Sequence, residues 1–75
     1  MAERYEVDII TPQQETRLTF SDLDTAAARF YMEIAMDYSE PSTEIGLHDL
    51  VQGKTLASWV YDPNADIGKV TYDVN

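Results

Sequence analysis

The stretch Ser21-Asp22-Leu23-Asp24-Thr25-Ala26-Ala27-Ala28-Arg29-Phe30-Tyr31-Met32-Glu33-Ile34-Ala35-Met36-Asp37-Tyr38 decides the fold. Leu23, Ala26, Ala27, Phe30, Ile34 and Tyr38 recur at three- and four-residue spacing, which gathers them on one stripe of a helix. Ser21 is placed to accept from the amide three residues on, and Asp22 and Asp24 fall in the electropositive first turn. Asp24 has a shorter reach than the Glu or Gln of a full capping box. Ser39-Glu40-Pro41-Ser42 ends the pattern, because the residue before a proline disfavours helical torsions. The spacing therefore predicts one helix from Asp22 to Tyr38, with a single apolar side to bury.

On both flanks the period changes from helical to alternating. Tyr5, Val7 and Ile9 alternate with Glu6 and Asp8, and Leu18 and Phe20 with Arg17 and Thr19, around a Thr11-to-Glu15 turn containing Pro12. After the helix, Ile45 and Leu47 alternate with Glu44, Gly46 and His48, and Lys54 to Tyr61 is rich in β-forming residues. A tight Gln52-Gly53 turn sets Asp49 opposite Leu56 on an apolar face, an awkward pair, so a bulge near Asp49 or a longer loop is expected. Val70, Tyr72 and Val74 supply a possible last strand beyond the polar turn Asp62 to Asp66. Runs of strands on either side of one helix predict an α+β fold. A single helix packs on one face of a four- to five-stranded antiparallel sheet, in the order ββαββ(β).

Length and composition bound the function. Seventy-five residues make one domain spanning 1–75, with a hydrophobic fraction of 44%, enough to fold. There is no cysteine, so disulfides and thiol chemistry are excluded. Fourteen acids against five bases give a net charge of −9, which argues against direct binding to nucleic acid or an anionic membrane. The N-terminal residues lack a basic region followed by an apolar run, and a cytoplasmic protein is expected.

Motifs for chemistry are sparse. His48 is the only histidine and stands in a strand without a second imidazole or a nucleophile-elbow pattern, so it reads as an ordinary surface or strand-edge residue. A chain this short leaves little room for a deep catalytic cleft, and a non-enzyme is expected. The three glycines form no phosphate-cradling run, and no cofactor is implied. Asp62, Asn64, Asp66 and Asp73 offer oxygens at spacings that loosely follow a calcium loop. Glycine falls at the seventh rather than the sixth position, however, and Pro63 stiffens the second. An ordinary polar turn is the simpler reading, and no metal site is favoured.

What remains is recognition of another protein. Met32 and Met36 project from the back of the predicted helix, as a contact site, a dimer seam, or residues covered by a sheet edge. Trp59 is either a surface anchor or the largest core residue, with Gly46 a candidate to lie beneath its indole. Asp22, Glu33, Asp37, Glu40 and Glu44 place carboxylates along the helix and the loop after it. Short, acidic, cysteine-free and without a catalytic constellation, the chain resembles in size and composition many small phage or mobile-element proteins that inhibit host nucleic-acid machinery, anti-CRISPR proteins among them. That resemblance implies a nucleic-acid mimic that occupies a basic surface on a host protein. The alternatives are a homo-oligomeric accessory module, a homodimer in the simplest case, whose acids only confer solubility, and a low-affinity calcium-binding domain.

Overall fold

A computed structural model describes residues 3–36 and 42–72. Six elements follow one another: β1 (Tyr5–Ile10), β2 (Glu15–Phe20), α1 (Leu23–Ile34), β3 (Glu44–Asp49), β4 (Lys54–Asp62) and β5 (Ile67–Tyr72). The strands form one antiparallel sheet in the order β2-β1-β3-β4-β5, with α1 packed across β1, β3 and β2. This is the expected α+β architecture, with the last strand present.

Alternation along the strands sorts the residues between the two faces. Val7 stands opposite both Leu18 and Leu47, and Leu47 opposite Ala57; two residues along the strands, Ile9, Ile45, Trp59 and Val70 make a second apolar row. These rows meet α1 through Ala26 and Phe30, both fully buried. Truncating a buried Phe costs about 3–5 kcal/mol, comparable with the whole stability of many domains this small, so Phe30 is the pivot of the core. No helix among the described residues is long and apolar enough to cross a membrane.

The helix differs from its sequence reading at both ends. Its N-cap is Asp22, not Ser21: the Asp22 carboxylate accepts from the Thr25 amide (2.8 Å) and the Thr25 hydroxyl (2.6 Å). Thr25 thus supplies two donors to one cap, and this holds the Asp22 carboxyl below its ordinary range. Helical structure ends at Ile34, and the predicted continuation through Asp37 and Tyr38 lies outside the described residues. Leu23 is exposed while Glu33 is buried, so the inward stripe is rotated toward Glu33.

The second hairpin contains both a longer loop and a bulge. Leu50 to Gly53 connect the strands, with Gly53 at φ 65°, a torsion that suits glycine. The register slips between Leu47, which pairs with Ala57, and His48, which pairs with Thr55, leaving Leu56 as the extra residue. Asp49 does face inward, but its buried carboxylate is satisfied. Arg4 Nη2 donates to it at 3.1 Å, and the amides of Val51 and Gln52 at 3.0 and 3.1 Å. Trp59 is in the core and stands opposite Ile45; the glycine beneath its indole is Gly68 of β5, not Gly46.

Candidate functional site

The face of the sheet away from α1 carries the polar members of every strand. Cross-strand pairing lays them out in rows. Arg17, Asp8, Gly46, Ser58 and Thr71 form one, Thr19, Glu6, His48 and Thr55 the next, and Glu15, Ile10, Glu44, Val60 and Lys69 flank them on the other side. Beside Asp8 and His48 runs an open groove of about 330 Å³, bordered by Glu44, Ile10 and Val60.

Three features of backbone geometry assemble the centre of this face. Glu6 and Asp8 are two apart on β1 and so point the same way. His48 stands directly across from Glu6, while the residue across from Asp8 is Gly46. A Cβ at Gly46 would sit only 2.5 Å from His48 Nε2, so glycine there frees the surface over which the imidazole reaches Asp8. The bulge at Leu56 then puts Thr55, rather than an apolar side chain, opposite His48.

The resulting contacts are tight. His48 Nε2 lies 3.0 Å from Asp8 Oδ2, and His48 Nδ1 lies 2.9 Å from Thr55 Oγ1. Asp8 Oδ1 is shielded from solvent and has no hydrogen-bond donor among the described residues. Burial, then the charge of Asp8 and a hydrogen bond to it, hold the Glu6 carboxyl above its ordinary range, with Arg17 and His48 opposing weakly. Arg17 is itself bound to Glu15 at 2.7 Å. One ligand atom from each of Glu6, Asp8 and His48 lies within 4.8 Å of the other two, the one such metal-capable group among the described residues.

The residues singled out in the sequence are distributed differently. Glu33 is 5% exposed and paired with Arg29 (3.3 Å), and is therefore no part of an accessible acidic edge. Trp59, 6% exposed, is no surface anchor. Asp22 is engaged as a helix cap, and Asp37, Glu40 and Asp73 lie outside the described residues. Met32 on α1 and Met36 just after it are 58% and 63% exposed, whereas Glu44 is on the helix-free face of the sheet, so these do not form one patch. In the Asp62 turn, the Asp62 carboxylate accepts from the Asn64 amide (3.0 Å) and Asp66 accepts from the Tyr61 hydroxyl, both closing the turn on itself.

Sequence reasoning placed Glu6 and Asp8 on a wet face and His48 on a strand without bringing them together. The signal available was Glu6 and Asp8 at alternate positions, plus a histidine two residues after a strand glycine. The pairing of β1 with β3 that completes the group is a long-range register no local pattern encodes. Compared with family models, with curated proteins and with solved structures, the chain matches none.

Proposed function

We propose that the chain is a non-enzymatic binding module that occupies a basic surface of a larger protein, where that surface otherwise holds nucleic acid. The observation that carries this reading is the fate of its positive charge. Arg4, Arg17 and Arg29 each lie within 3.3 Å of an acid of the same chain, at Asp49, Glu15 and Glu33. With fourteen acids against five bases over the whole sequence, a large acidic excess remains beyond these three pairs, at net −9. A surface of that sign raises the encounter rate with Lys- and Arg-rich proteins and opposes nucleic acid itself. Glu6, Asp8 and Glu44 on the helix-free face supply carboxylates for basic side chains, with Ile10 and Val60 as apolar ground between them. The likeness in size and charge to phage and mobile-element inhibitors supports the same reading.

The test is affinity capture on the immobilised chain from nuclease-treated lysate. The reading expects a nucleic-acid-handling protein that leaves as salt rises and is displaced by added oligonucleotide. Retention indifferent to both salt and oligonucleotide contradicts it. A second reading, self-association, is favoured by β5, which ends the sheet and bears exposed Ile67 and Tyr72. Sedimentation showing a concentration-dependent dimer, abolished by a proline in β5, supports that alternative. A monomer at every concentration removes it.

A further inference from the structure

We propose that Glu6, Asp8 and His48 form a binding site for a first-row divalent transition cation, with zinc as its natural occupant; the site shares Glu6 and Asp8 with the partner surface read above, and its test uses the protein alone. Two carboxylates and an imidazole converge from adjacent strands, each contributing one ligand atom within 4.8 Å of the other two. Around a zinc ion with bonds near ~2.1 Å, neighbouring ligand atoms stand roughly 3.4 Å apart, so side-chain rotation closes the group without moving the sheet. Mixed nitrogen and oxygen ligation suits zinc and its neighbours better than calcium or magnesium, which take oxygen.

Two further observations point to a cation. Asp8 Oδ1 is shielded from water and accepts no hydrogen bond among the described residues, so this oxygen lacks a donor while Oδ2 of the same carboxylate faces His48 Nε2. The second is the far side of the imidazole. With a cation on Nε2, the remaining ring proton would sit on Nδ1 and be donated to Thr55 Oγ1, 2.9 Å away, the outer partner a metal-bound imidazole uses. Gly46 and the bulge at Leu56 are the backbone features that give His48 both neighbours. Arg17, which stands across from Asp8 and lines this part of the face, is bound to Glu15 at 2.7 Å. Three protein ligands leave a fourth position to water.

The alternative occupant is a proton on Glu6, and the experiment separates the two. The metal-free chain is titrated with zinc chloride, and in parallel with cobalt chloride, magnesium chloride and calcium chloride, while melting temperature and visible absorption are followed. The proposal expects zinc at about ten times its dissociation constant to raise the melting temperature by several degrees. It also expects cobalt to develop visible bands of low-symmetry coordination, while magnesium and calcium do neither. Glu6→Gln and His48→Gln, which keep side-chain volume, should each weaken zinc binding at least tenfold while the metal-free protein remains folded by circular dichroism. No thermal shift and no cobalt spectrum at millimolar metal would overturn the proposal. Zinc binding undiminished in both variants would overturn it as well, because the ion would then be held elsewhere.

Discussion

The indole of Trp59 occupies the space above Gly68 that any larger residue there would need. Trp59 comes from β4 and Gly68 from β5, and the glycine lies two residues from the Trp59–Val70 pair, opposite Tyr61. The edge strand therefore completes the core by what it lacks, allowing the largest side chain of the protein to lie flat against its backbone.

Gly68→Ala puts a methyl group into the ring, and either the indole or β5 must move. Overpacking of this kind typically costs about 1–3 kcal/mol. We expect a loss at the upper end of that range in urea unfolding, together with a red-shifted tryptophan emission as Trp59 meets water. Wild-type emission and stability in the variant would show that the ring is not held there.

Thr43 predicts a change of the opposite sign. It is fully buried, and its hydroxyl has no hydrogen-bond partner among the described residues. An unsatisfied buried hydroxyl costs about 1–3 kcal/mol. Thr43→Val keeps the branched shape, removes the hydroxyl, and should raise stability by about 1 kcal/mol, read as a shift in the urea midpoint with unchanged slope. A destabilised variant would mean that the hydroxyl does have a partner.

Two carboxyls give opposing pH dependences. Asp49 is held below its ordinary range, first by its hydrogen bond from Arg4, with the Gln52 and Val51 amides adding. Its contribution is complete above the unfolded value, about 3.9, and is lost as pH falls through the lower folded value. Asp49→Asn should therefore be less stable than wild type at pH 7, with the gap closing below about pH 4. Glu6 is raised, chiefly by burial and then by Asp8, so the folded state loses stability as pH rises above the unfolded value of about 4.3. In chelator, Glu6→Gln should be the more stable protein at pH 7 and match wild type near pH 4. Melting curves across pH 3 to 8 check both, and parallel profiles for all three proteins would contradict both assignments.

The sequence made the outline of this fold legible because its signals are local. The alternation of Val7 and Ile9, the spacing of Ala26 and Phe30, and the mismatch at Asp49 that required a bulge or longer loop all act within one hairpin or helix. The cap moved by one residue because Thr25 offers Asp22 a hydroxyl as well as an amide. The glycine under Trp59 and the meeting of His48 with Asp8 depend on which strands become neighbours. Gly46 and Gly68 read alike in the sequence; one accommodates an imidazole and the other an indole. The candidate binding residues were the least legible, since a carboxylate such as Glu33 reads as surface until Arg29 is seen to pair with it.

The central claim is that the helix-free face engages a basic partner through charge. The most direct measurement is the association rate of the captured partner, followed from about 50 to 500 mM salt, with wild type and with Glu6→Lys/Glu44→Lys. A Debye length that shrinks from about 14 to 4 Å over that range screens such steering strongly. The account predicts that the wild-type rate falls steeply with salt, and that the variant is at least tenfold slower at low salt with a flatter slope. Equal rates and equal slopes for the two proteins would contradict it.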